Sequence, residues 1–133
     1  MDSTMFEIDD KNFPCSTSVT MRFIGGKWKA VILIHLAKNS QRYSELRRMI
    51  PTITERTLSL QLKQLEEDGL ILRKVFTEKP PLTVDYSLTE FGKSLIPLLK
   101  NIADWGNFAM QHSTKIKQIS PLETCEKIDN LDN

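Results

Sequence analysis

Between residues 54 and 88 the hydrophobic pattern changes period once, and this change restricts the fold more than any other feature of the chain. Leu58, Leu62 and Leu65 recur at helical spacing, within about 60° of one another on a wheel that turns about 100° per residue. Thr54 stands where an N-cap belongs, Glu55 suits the first turn, and Asp68-Gly69 closes the segment. Past Gly69 the pattern alternates. Leu70–Phe76 reads as a strand, and Leu82, Val84, Tyr86 and Leu88 share one face of a second. Glu78-Lys79-Pro80-Pro81 lies between them and suits only a turn. A helix running into a β-hairpin with a charged tip is therefore expected.

Upstream, Cys15–Ile24 reads as a short helix that Ser16, Thr17 and Ser18 can cap, broken by Gly25-Gly26. A second helix is expected over Lys27–Lys38, where Trp28, Val31, Ile32, His35 and Leu36 form an almost unbroken apolar surface. Arg42-Tyr43 suits a short strand. Ser44 then caps a brief helix, Glu45–Met49, which Pro51 stops. Thr89 caps a long final helix over Glu90–Met110. The expected fold is mainly α with a small β-hairpin: a winged helix-turn-helix with N- and C-terminal dimerisation helices. Residues 1–13 read as a flexible acidic leader, 14–111 as the folded domain, and 112–133 as a tail that is disordered or marginally helical.

The helix-turn-helix order assigns the second helix of the unit, Thr54–Asp68, to the major groove of double-stranded DNA. Opposite its leucine stripe lie Arg56, Leu60 and Lys63, flanked by Ser59 and Gln64. Arg56 suits guanine O6 and N7, and Gln64 suits an adenine edge. Thr54 suits a phosphate, through its hydroxyl and the free N–H groups of the helix start. Leu60 either touches thymine methyl groups or is a lone exposed leucine. In the hairpin Arg73, Lys74 and Lys79 are candidates for phosphate or minor-groove contact, with Glu78 diluting the charge. Lys27 is a further phosphate candidate, and Trp28 is expected in the core or a dimer contact.

Charge distribution agrees. The chain has a net charge of +1, yet residues 22–79 hold 12 basic and six acidic side chains. Cys15 and Cys125 form no CxxC pair, and with His35 and His112 as the two histidines neither a zinc site nor any other cofactor is expected. Gly25-Gly26-Lys27 is no phosphate loop, because Met21 and Trp28 occupy positions that need glycine and a hydroxyl residue. No apolar run suffices for a membrane span, and Met1–Lys11 lacks the apolar segment of a signal peptide, so a cytoplasmic location is expected. No paired carboxylates or activated nucleophile point to an enzyme. The competing use of such a fold is protein assembly, which usually takes a more apolar face than Arg56, Ser59, Lys63 and Gln64 provide, with Leu60 the one residue in its favour.

On the final helix Phe91, Leu95, Leu98, Ile102 and Trp105 follow 4-3-4-3 spacing, with Leu99 and Phe108 widening the stripe. So broad a stripe predicts a homodimer, with Val19 and Phe23 of the first helix as additional interface residues.

Four stretches together resemble the HxlR-type bacterial regulators: Ile24-Gly25-Gly26-Lys27-Trp28, Tyr43-Ser44-Glu45-Leu46-Arg47, Leu62 to Leu70 with Glu66-Glu67-Asp68-Gly69, and Val84-Asp85-Tyr86-Ser87-Leu88-Thr89 with Gly92. The resemblance spans about Cys15 to Gly106 and implies a dimeric DNA-binding repressor or activator. Leu60 departs from it, since a polar residue is usual there. Some HxlR-type regulators respond to oxidants or electrophiles through a cysteine near the N-terminus. Cys15, at a helix start where N–H groups favour a thiolate, is the candidate sensor, with Cys125 as a resolving thiol and an unidentified small molecule as the other inducer class.

Overall fold

The computed structural model describes residues 4–119. Phe6–Ile8 (β1) and Lys11–Phe13 (β2) pair as an antiparallel hairpin, with Ile8 opposite Lys11. This departs from the flexible leader expected over residues 1–13. The two linking residues, Asp9 and Asp10, have φ of 51° and 64°. Two successive positive φ values make the tight turn that suits a right-twisted hairpin, and aspartate tolerates that region better than most residues.

Three helices follow. Ser16–Ile24 (α1) is capped by Cys15, and Lys29–Lys38 (α2) starts two residues later than expected. In α2 the run Ile32–Leu36 is buried, His35 included. Gln41–Arg42 (β3) and Tyr43–Met49 (α3) come next. Glu55–Glu67 (α4) has Thr54 as its N-cap, whose hydroxyl oxygen accepts the Thr57 N–H at 3.1 Å. Leu58, Leu62 and Leu65 are no more than 1% exposed, so the leucine stripe is the core face of α4.

Ile71–Val75 (β4) and Val84–Leu88 (β5) form the expected hairpin, and β3 adds to it in the order β3-β5-β4. Tyr86 and Leu88 are buried, but Leu82 lies outside the strand and is exposed. The alternating burial begins at Val84, the first residue of β5, which packs partly buried on the core.

One long C-terminal helix was expected; there are two, Glu90–Lys93 (α5) and Ile96–His112 (α6). Pro97 accounts for the break. It has no N–H to donate to an unbroken helix but fits the first turn of a new one. Leu99 is fully buried and Leu95, Ile96 and Ala103 pack on the core, whereas Leu98, Ile102, Trp105 and Phe108 are exposed. Leu99 is thus core, not seam. Residues 113–119 have no regular structure, and the rest of the expected tail, with Cys125, falls outside the described residues.

At the α4–β4 corner Gly69 has φ 77°, its N–H reaches Glu66 O, and the Leu70 N–H reaches Leu65 O. These two bonds satisfy carbonyls at the helix end as a Schellman motif does. The Thr89 hydroxyl donates to Gly69 O at 2.6 Å and accepts the Gly92 N–H at 2.9 Å. Gly92 is pressed against the backbone of Leu70, just before β4, so that a Cβ there would stand 2.1 Å from Leu70 O. Gly92→Ala is therefore expected to destabilise the chain by about 1–3 kcal/mol through overpacking, read as a lower midpoint in urea or thermal unfolding.

Candidate nucleic-acid interface

Helix α4 is held from behind and open in front. Against its buried leucines, Arg56, Ser59, Leu60 and Lys63 are all exposed, and Gln64 is half-buried. The link from α3 is braced by the Arg47 guanidinium, which donates to Ile53 O. In that link Thr52 sits at φ 74°, a conformation that a β-branched residue rarely adopts.

Two of the expected contact residues have intramolecular work. The Thr54 hydroxyl donates to Thr57 Oγ1 at 2.9 Å while accepting the Thr57 N–H. Any phosphate at this helix start would therefore rely on the backbone N–H groups of the first turn. Ser59 Oγ lies 3.1 Å from the Tyr43 hydroxyl, which donates to Glu55 O at the same distance. Tyr43 thus fixes the start of α4 against α3. Arg56, Leu60 and Lys63 are left as the outward face.

Between this face and the hairpin lies a groove of about 480 Å³ lined by Arg42, Tyr43, Ser44, Ser59 and Arg73. A shallower depression of about 860 Å³ brings Arg47, Arg48, Thr52 and Thr54 together on the helix-turn-helix link. Arg42 pairs loosely with Asp85 across the sheet, at 3.8 Å. Arg42, Tyr43, Arg47 and Arg48 were absent from the sequence-based candidates. The available signal was their density: three arginines fall within seven residues beside the expected recognition helix. Lys79 is exposed at the hairpin tip. Lys27 lines neither depression, and its ammonium sits 4.8 Å from the Trp28 ring centre. Trp28 itself packs on the core.

Behind α4, Arg22 of α1 donates to both carboxylate oxygens of Asp68, at 2.8 and 3.2 Å, and to Asp9 of the N-terminal hairpin at 2.9 Å. The bonds to Asp68 raise the Arg22 pKa most, against desolvation, with Asp9 adding to them. Asp68 is an acid at the negative end of the α4 dipole, a disfavoured place that the guanidinium compensates.

Cys15 is exposed at the start of the same helix α1. Its pKa is lowered, chiefly because the Ser18 backbone N–H donates to the sulfur; the Ser18 hydroxyl and the Thr17 N–H add to this, and desolvation opposes it. Val19 and Phe23, one and two turns on, are half-buried rather than free. Phe23 meets Phe91 edge-on at 5.7 Å, and with Val19 and Leu95 they line a half-open hollow of about 210 Å³. The expected interface residues thus divide. Leu98, Ile102 and Trp105 face outward, the last 70% exposed, whereas Val19, Phe23 and Leu95 are partly covered within the chain.

A helix backed by core leucines, preceded by a tight helix-turn and followed by a hairpin across a basic groove, defines a winged helix-turn-helix transcriptional regulator. Residues 23–114 match the model of the HxlR-like helix-turn-helix family, and the chain belongs to that family. The HTH-type transcriptional regulator YdeP of Bacillus subtilis (strain 168) is 48% identical over 92 residues, 69% of this chain and 71% of its own length. An HTH-type transcriptional regulator of Methanothermobacter thermautotrophicus is 42% identical over 115 residues, covering 86% of this chain and 87% of its own. Among solved structures, the redox regulator HypR in its oxidized form superposes with a TM-score of 0.67 at 42% identity, over 71% of this chain and 96% of that one. Among the described residues no helix is long and apolar enough to cross a membrane.

Proposed function

We propose that this regulator binds double-stranded DNA as a homodimer on a palindromic operator, and that thiol chemistry at Cys15 switches it. The observation that carries the DNA reading is the division of α4: Leu58, Leu62 and Leu65 are sealed in the core while Arg56, Leu60 and Lys63 project beside a groove edged by Arg42 and Arg73. In this reading Arg56, Lys63 and Gln64 meet base edges, Leu60 meets thymine methyl groups, and Arg42, Arg73, Ser59, Lys27 and the α4 N-terminus meet phosphates. Lys79 approaches from the hairpin. Such a protein would act in the cytoplasm.

The dimer reading rests on Leu98, Ile102 and Trp105. These large apolar side chains lie on one side of α6 and are left in water by the chain's own packing. A symmetric pair would set two copies of α4 about 34 Å apart, one turn of DNA. The thiol reading rests on the exposure and lowered pKa of Cys15, and gains support from the likeness to the redox regulator HypR. Because α1 also carries Arg22, a change at Cys15 is one helix away from the end of α4.

Selection of genomic fragments by the purified protein should enrich one palindromic sequence; enrichment of none would make the α4 face a protein-docking surface. On the selected operator Arg56→Ala is expected to cost about 1–3 kcal/mol and to relax preference at one base pair. Lys79→Ala should weaken all sequences alike and lower the salt slope by about one.

Charged residues at both Ile102 and Trp105 should yield folded monomers that lose the palindrome. The check is sedimentation at micromolar concentration, where a monomeric wild type would defeat the dimer reading.

For the thiol, a lowered pKa means that the alkylation rate of Cys15 should rise with pH through a midpoint below that of the unfolded chain. Diamide or a quinone should change operator affinity in the wild type and not in Cys15→Ser. Unchanged wild-type affinity, with Cys15 unmodified by mass spectrometry, would exclude sensing and point to a small-molecule inducer.

A further inference from the structure

The three-stranded sheet sets three charges in one row. Asp85 of the central strand β5 is the register partner of Arg42 in β3 on one side and of Lys74 in β4 on the other. Cross-strand partners share a face, so an acid stands between two cations on the side opposite the buried Tyr86 and Leu88. The row is unevenly joined. Lys74 places its ammonium 4.9 Å from the Phe76 ring centre, whereas Arg42 Nε lies 3.8 Å from Asp85 Oδ1.

That oxygen is shielded from water and, among the described residues, has no hydrogen-bond partner. At 3.8 Å the Arg42 pairing is an ionic contact, too long for a hydrogen bond. A shielded carboxylate oxygen in this state costs free energy, which a small closing movement of Arg42 would recover. The arginine is also fixed at its backbone, where its N–H donates to Glu45 Oε1 at 3.1 Å. Its side chain stays 62% exposed at the edge of the groove beside α4. With Nε facing the acid, the fork of the guanidinium keeps its Nη N–H groups for a second acceptor.

We propose that Asp85 is a positioning residue for DNA binding: it holds Arg42 by Nε so that the Nη groups present a ready fork to one operator phosphate. The inference rests on the DNA reading above and adds a residue that itself touches no DNA. A free arginine loses the rotamer freedom of a long side chain when it takes a phosphate, and one already held by an acid loses less. Contact with phosphate narrows Arg42 to orientations in which Nε closes on Oδ1, and the shielded oxygen gains its missing donor. Coulomb repulsion alone predicts the opposite, since an acid beside a phosphate backbone should only weaken binding. The sign of the effect separates the two roles.

The experiment measures operator affinity as a function of salt for the full chain and its variants. Arg42→Ala should weaken binding and lower the salt slope by about one. Asp85→Ala should weaken binding about fivefold, even though it removes a negative charge. In the Arg42→Ala background the same change should weaken nothing further, because the residue it acts through is gone. Asp85→Asn keeps an acceptor for Nε in a side chain of the same shape and should recover part of the loss. Positioning is overturned if the wild type binds an operator and Asp85→Ala binds it as tightly or more tightly. It is equally overturned if the loss persists undiminished without Arg42, as damage to the sheet would make it do. A wild type that selects no DNA sequence overturns the DNA reading itself, and this role with it.

Discussion

The angle between α4 and the hairpin depends on one crowded corner. Gly69 takes the chain out of α4 through a left-handed turn, and the Thr89 hydroxyl holds its carbonyl while capping α5. Gly92 lets α5 press onto the Leu70 backbone, just before β4, at a separation that any side chain would force apart. These contacts make α4, the β4–β5 hairpin and the start of the C-terminal helices one rigid piece. A fixed offset between α4 and the hairpin follows from them, and so does the groove between the two elements.

A second piece is attached to the first through a guanidinium. Arg22 joins α1 to the end of α4 and to the N-terminal hairpin. The two partners differ in weight. Asp68 is nearly covered, so its bond is made in a medium where charge pairing counts, whereas the mostly exposed Asp9 adds little through solvent. Helix α1, which Cys15 caps, is therefore tied directly to the end of α4, 46 residues on from Arg22. The same helix leans on Phe91 and Leu95, next to the outward seam of α6. The candidate sensor, the candidate interface and α4 share one connected set of contacts.

Much of the candidate interface was legible because α4 is governed by local rules. Its cap, its period and its closing glycine are written in consecutive residues, and the leucine stripe fixes by geometry which side chains look outward. What was not legible is what those outward side chains are doing. Thr54 and Ser59 look like free hydroxyls in a helical wheel, but the first is held by Thr57 and the second by Tyr43. Arg42 and Arg73 come from separate strands, and nothing local announces that they edge one groove. Asp68 did carry a signal: an acid at a helix C-terminus calls for a cation, and Arg22 lies 46 residues away.

Sequence alone determined the order of the elements, the core face of α4, the hairpin and the apolar excess at the C-terminus, because period, caps and turns act over a few residues. It also contained, in Asp9-Asp10 and Pro97, the local reasons for the N-terminal hairpin and the break between α5 and α6, although the surrounding pattern concealed both. Only the tertiary structure decided how the C-terminal stripe is shared, with Leu99 turned into the core and Leu98, Ile102 and Trp105 left outside. A heptad pattern cannot distinguish a helix's own core from a partner, since both present apolar surface. Burial depends on what stands opposite each face, and that is set by the packing of α2 and α6, elements far apart in the chain.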